Sequence, residues 1–234
     1  MSNVYMNMDS GPQSRKMTSS KAMSTFRRLD DGSISITFTS QEAHVLINLT
    51  EQLVELLAEG DGQSHQVDPL LHLVGISNAD SLPEDPVLRR LLPNAYADEK
   101  SAGEFRRYTE HGLREKKKAH ALTIYEALLP QDEEWTGDTP LDTGSLTLTF
   151  PSDQSLEWLG GLNDLRLALA VRLGIGTEQD RVKNAKNDAD GVATTESLHK
   201  KYELMVDSDP MKAVYSVYSW IGWLQQSLLD AITD

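Results

Sequence analysis

Not one cysteine occurs in the 234 residues. That absence excludes disulfides, thiolate nucleophiles, thiolate metal sites and every thiol-based redox switch at once. Long apolar runs are missing as well. No stretch approaches eighteen consecutive apolar residues, and the N-terminus lacks the continuous apolar segment of a signal peptide, so the expected compartment is the cytoplasm, with no membrane contact. Catalytic signatures do not appear either. The six histidines (His44, His65, His72, His111, His120 and His199) include no pair at zinc-ligand spacing beside a carboxylate. Gly174-Ile175-Gly176 follows a helix-like segment and has no third glycine, so it fails as a dinucleotide fingerprint. The stretch Lys186 to Gly191 imitates a calcium loop, yet puts Lys186 in the first ligand position and Ser197 in the twelfth. With no Gly-x-Ser-x-Gly and no phosphate-cradling loop, the chain is expected to be no enzyme, with no catalytic residue, metal or cofactor.

Positive charge is in short supply: 22 Lys and Arg stand against 36 Asp and Glu, a formal net charge of -14. Such a field repels polyanions and argues against general nucleic-acid or anionic-membrane binding. The cations are unevenly placed. Residues 1–28 hold Arg15, Lys16, Lys21, Arg27 and Arg28 against Asp9 alone, a net +4 that leaves -18 on the remainder. This segment is rich in Ser, Asn and Met and poor in apolar surface, so it reads as a disordered basic tail. It serves as an arm for nucleic acid or an acidic partner, as a set of oxidisable methionines, or as a solvated leader ahead of a start at Met17 or Met23.

What the chain does contain is an internal echo. Gly32-Ser33-Ile34-Ser35-Ile36-Thr37-Phe38-Thr39-Ser40 and Gly144-Ser145-Leu146-Thr147-Leu148-Thr149-Phe150-Pro151-Ser152 share a pattern of alternating apolar and hydroxyl residues, the period of a half-buried strand. Each leads into a helical pattern. Thr39 and Glu42 have capping-box spacing ahead of a helix to about Glu59, striped by Val45, Leu46, Leu49, Leu53, Leu56 and Leu57. An apolar piece, Pro69 to Ile76, and a short helix opened by Asp85-Pro86 lead to a long helix over about Lys100 to Leu129. An acidic loop, Gln131 to Asp142, divides the halves. In the second half a helix over about Asp153 to Leu173 is apolar on most sides and reads as central, and a C-terminal helix covers about Pro210 to Ile232. The predicted fold is therefore mainly α with two short strands, able to form a small two-stranded sheet or to pair with another chain in a homodimer. One domain spans 29–234, built from pseudo-duplicated β-α-α units at about 32–130 and 144–234, with a mobile loop at about 174–196. Chance similarity of two alternating segments is the alternative.

Two groups of residues are candidates for function. On the long helix Arg107, His111, Arg114 and Lys118 recur at spacings of four, three and four, and Glu104 to His120 carries a net +3. Arg106, Arg107, Arg114, Lys117 and Lys118 are accordingly predicted to form a partner-binding surface for an acidic protein face. DNA is the less favoured partner for the same stripe, and a solvated face balanced by the chain's own acids is the plainer reading. On the central helix Asn163, Asp164 and Arg166 read as a buried polar cluster, because Arg166 falls within the arc of Leu159, Leu162 and Leu173. Such a cluster fixes how helices dock, or lines a small-ligand pocket. Trp220 and Trp223, with Tyr215 and Tyr218 nearby, lie off the aliphatic stripe of the C-terminal helix. They imply a helix sandwiched between layers or an interaction surface.

Several strings carry a resemblance beyond composition. Asp85 to Tyr96 (DPVLRRLLPNAY), Glu104 to Glu110 (EFRRYTE), Leu162 to Leu169 (LNDLRLAL) before Arg172 to Ile175 (RLGI), and Trp220 to Leu228 (WIGWLQQSL) resemble an actinobacterial domain of unknown function. Members of that family are named AosR-type oxidative-stress regulators. The resemblance spans about residue 26 to the C-terminus. It implies a cytoplasmic protein tied to transcriptional responses to oxidants, acting through protein partners that include the transcription machinery. A thiol cannot be the sensor in this chain.

Overall fold

The structure is a computed structural model that describes residues 23–59, 82–129, 144–175 and 195–233. Most of the tail, the apolar piece at 69–76, the acidic loop at 131–142 and most of the loop at 174–196 lie outside the described residues. Within them the chain runs β1 (Arg27–Arg28), β2 (Ile34–Thr39), α1 (Ser40–Glu59), α2 (Pro86–Leu91), α3 (Glu99–Leu128), β3 (Ser145–Phe150), α4 (Ser155–Arg172), α5 (Thr195–Glu203) and α6 (Pro210–Thr233). The architecture is mainly α with one small antiparallel sheet.

The two echoing segments are neighbours. β2 and β3 pair antiparallel, from Ile34 opposite Phe150 to Thr39 opposite Ser145. Alternation then works as predicted: Ile34, Ile36 and Phe38 are buried against the helices, while the Thr37 and Thr147 hydroxyls bond at 2.9 Å on the open face. Each strand feeds a helix that packs on a later long one, α1 on α3 and α4 on α6. The sheet has three strands, not two. β1 adds to the outer edge of β2 through a turn closed by Gly32, whose φ of 83° is costly for a residue with a Cβ. Residues 23–28 thus belong to the fold, contrary to the expectation of a disordered tail through 28. Phe26 explains why: its ring is buried with edge contacts to Phe38, Phe150 and Trp158.

Helix starts follow local chemistry. The Thr39 N–H donates to Glu42 at 2.8 Å, and the Glu42 N–H donates back to the Thr39 hydroxyl at 3.3 Å, which satisfies two otherwise free donors. Asp85 accepts from the Val87 and Leu88 N–H groups, with Pro86 at the first helical position of α2. α4 ends in a Schellman turn: Gly174 has a φ of 71°, and the Ile175 N–H reaches the Ala170 carbonyl at 2.8 Å.

α4 is the central helix, touching α1, α2, α3 and α6. It crosses α3 closely because Gly160 and Gly161 present no side chain; a Cβ on Gly161 would lie 2.9 Å from the His120 carbonyl oxygen. α4 is not buried all round, since Leu156 on its surface is well exposed. α5 begins at Thr195, inside the predicted loop. Tyr202 anchors it by stacking on Tyr215 of α6 at 4.4 Å.

Candidate interaction surface

The N-terminal half of α3 has two unlike faces. Its inner face carries Ala102, Arg106, Glu110 and Arg114, one residue per turn, all buried. A guanidinium away from water needs a counter-charge and acceptors for its remaining N–H groups, and both arginines find them. Arg106 donates to one oxygen of Glu110, to the Leu92 carbonyl at 3.1 Å and to Asn94 Oδ1 at 2.8 Å. Arg114 donates twice to the other Glu110 oxygen, at 2.9 and 2.7 Å, and to the Leu57 carbonyl at 3.1 Å. Leu57 sits in the last turn of α1 and Leu92 caps α2, so the two cations also meet the negative ends of two helix dipoles. One glutamate and two arginines therefore join α1, α2 and α3.

This arrangement corrects the predicted cationic surface. Arg106 and Arg114 are 5% and 4% exposed, so they build the fold and do not face a partner. Lys117 bonds Asp164 of α4 at 2.6 Å, and Lys118 bonds Glu115 at 2.7 Å. Of the five, Arg107 alone is exposed with no hydrogen bond or ion pair among the described residues. The second predicted cluster does not assemble. Asn163 is exposed, Asp164 is buried on Lys117, and Arg166 lies outside on the α6 side. There its guanidinium stands 5.2 Å over the Tyr218 ring and reaches Gln225 Oε1 at 3.5 Å. The buried arc of α4 is centred on Trp158, Gly161, Leu162 and Leu165, which turns Arg166 away from the core. The tryptophans divide the two expectations for α6 between them. Trp220 is partly buried against Phe38, whereas Trp223 is exposed and donates to the Ser24 carbonyl at 3.0 Å.

The outer face of α3 holds what charge counting missed. Phe105 and Tyr108 are 43% and 66% exposed, Leu113 is 36% exposed, and Tyr96, at 50%, sets its ring edge-on to Phe105 at 5.6 Å. Phe105, Tyr108, Gly112 and Thr109 fall on one side of the helix by spacing. A Cβ on Gly112 would meet nothing within 4 Å, so the rings border an open notch. Below them Phe105, Thr109 and Leu113 line a cleft of about 20 Å³ that runs down to Arg106 and Glu110. Large apolar side chains grouped in the open mark contact sites, and tyrosine with arginine at the margin is the composition such sites favour. The signal was present in sequence as Phe105 and Tyr108 at helical spacing.

No charge cluster suited to a metal ion, with three or more His, Cys, Asp or Glu, occurs among the described residues, and no described helix is long and apolar enough to cross a membrane. Residues 23–232 match the family described as a domain of unknown function (DUF2017). The chain belongs to the DUF2017 family. Relatives of this DUF2017 protein include the oxidative stress regulator AosR of Mycobacterium tuberculosis (strain H37Rv) and that of Mycobacterium bovis. Each is 30% identical over 195 residues, covering 80% of this chain and 77% of the relative. A putative oxidative stress regulator AosR of Mycobacterium leprae is 30% identical over 198 residues, 82% of this chain and 78% of its own. No solved structure matches.

Proposed function

We propose that this DUF2017 protein is a non-enzymatic, cytoplasmic regulator of the response to oxidants that works by binding a protein partner through Tyr96, Phe105, Tyr108 and Leu113. The regulator role follows its relatives' names. The observation that carries the contact is the exposure of two rings, Phe105 and Tyr108, on a helix whose other face is locked by the Arg106–Glu110–Arg114 cluster, with the exposed Tyr96 ring set against Phe105 from the segment before the helix. A rigid apolar face loses little conformational entropy on binding. Arg107, one residue from Tyr108 and unpaired among the described residues, favours a partner with an apolar knob flanked by acid.

The test replaces Phe105 and Tyr108 by alanine in cells exposed to peroxide. The double variant is expected to fold normally and to lose both regulation of oxidant-responsive transcripts and a cross-link placed at position 112. Normal regulation by a folded variant overturns the reading. Direct DNA binding by the basic tail and stripe is the rival. It loses support because Arg106 and Arg114 are inside and Lys117 and Lys118 are paired. Steeply salt-dependent retardation of promoter DNA would restore it.

A further inference from the structure

Seven methionines occur in the chain, five of them within residues 1–23. The other two, Met205 and Met211, flank the turn between α5 and α6, and both are half-buried. They pack in a small hydrophobic cluster with Leu173, Tyr202, Tyr215, Ile175, Val214 and Tyr218, separate from the main core. This cluster is what holds α5. Tyr202 stacks on Tyr215, and its hydroxyl donates to the Leu173 carbonyl at 3.1 Å, tying α5 to the end of α4. The Lys212 ammonium clips the turn by donating to the Met205 carbonyl at 3.0 Å and to Asp207 at 2.6 Å.

Thioethers are the remaining soft sulfur in a chain without thiols. A half-buried one can be reached by a small oxidant while its contacts still matter to packing. We propose that Met205 and Met211 form a hydroperoxide-reactive pair whose oxidation releases α5 from the fold. A sulfur lone pair attacks the outer oxygen of the hydroperoxide, the O–O bond breaks and an S=O bond forms. Sulfur loses two electrons, and the peroxide is reduced to the alcohol, or to water from hydrogen peroxide, as the proton moves to the leaving oxygen. The sulfoxide is a polar acceptor set among tyrosine rings and aliphatic groups, and so few apolar contacts cannot offset its desolvation. The main core, which buries Trp158, Phe38, Leu162 and Leu224, contains no methionine among the described residues and stays intact. The inference does not depend on the aromatic patch of α3.

The experiment treats the full chain with graded hydrogen peroxide and reads two quantities: sulfoxide at each methionine by mass spectrometry, and amide exchange over residues 199–206. Met23, which is exposed, reports the dose. Conversion of Met205 and Met211 is expected to speed exchange in α5 by about tenfold, with α1, α3 and α4 unchanged. Sulfoxide reductase treatment is expected to restore protection. The double variant Met205→Leu with Met211→Leu conserves volume, so it should fold and keep its protection at doses that fully oxidise Met23. Met211→Gln, which brings in a polar group without peroxide, should loosen α5 on its own. The proposal is overturned if both sulfurs oxidise and α5 stays protected, if they resist doses well beyond those that convert Met23, or if the leucine variant loosens equally.

Discussion

On α3 the usual order of burial is inverted between two faces of one stretch of helix. Arg106, Glu110 and Arg114 are inside, while Phe105, Tyr108 and Leu113 are outside. Burial of charge costs stability unless every group is paired, and exposure of rings forgoes hydrophobic stabilisation of roughly 1.5–3 kcal/mol each. The inner face meets its cost with six hydrogen bonds that tie three helices together. Among the described residues the outer face has no intramolecular return of that size, and for this reason it, rather than the cationic stripe, is the surface read as meeting a partner.

The inner face should break hardest. Glu110→Ala leaves two buried guanidiniums without a counter-charge and is expected to cost about 3–5 kcal/mol, measured by urea denaturation. Arg114→Glu should be as severe, since it puts two carboxylates face to face beneath Leu57. Charge reversal across Arg107, Arg114 and Lys118 would thus report unfolding instead of partner binding. A loss below about 1 kcal/mol for Glu110→Ala would mean that the cluster is wet and that the contrast between the faces is false.

Next in size is the bridge from α3 to α4. Asp164 is 3% exposed and Lys117 15%, so the two ends are not equivalent. Lys117→Met strands a buried carboxylate and is expected to cost about 2 kcal/mol, whereas Asp164→Asn leaves a long flexible cation that can turn to water and costs about half as much. Equal losses would show a bridge as solvated as a surface pair.

The outer face sharpens the comparison by what it should not do. Phe105→Ala with Tyr108→Ala is expected to shift stability by no more than about 1 kcal/mol, as for surface positions generally, while abolishing partner capture. A large loss of stability would make the rings part of the core and remove them as a contact site.

How much of this could be read from residues alone depended on how local the cause was. The capping box of Thr39 and Glu42, the proline start of α2 and the alternation of β2 and β3 are decided within a few residues, and they stand where the pattern put them. Strand β1 has no pattern of its own. Arg27–Arg28 is a strand because β2 offers it an edge and Phe26 anchors it from inside. The cationic stripe failed on α3 because the spacing of Arg107, His111, Arg114 and Lys118 groups cations without showing which way they face, when the informative feature was Glu110 one turn from each of two arginines. That spacing lets one carboxylate serve both. Arg166 was misplaced for a similar reason: an arc drawn through leucines cannot show that Gly161, with no side chain, marks the closest approach to α3.

The smallest expected effect lies where that approach happens. His120 is pressed against Gly160 and Gly161, and burial pushes its pKa below the ordinary histidine value, with Lys116 and Lys117 adding to the shift and Asp164 and Glu157 opposing it. The neutral ring is therefore the form that the fold accepts. Below the ordinary pKa the unfolded chain binds a proton that the native state resists, so stability rises with pH through this window. It is fully present above about pH 6.5, falls as the solution is acidified through the unfolded value, and levels off below the lowered native one. Because nearby carboxylates also titrate on the acid side, the comparison to make is between the native chain and His120→Gln. The difference in their urea midpoints should change between pH 7.5 and pH 5.5, with the native chain losing more on acidification. A difference that stays constant over that range would mean the imidazole titrates as it does in water, and that the close α3–α4 crossing does not discriminate between its two protonation states.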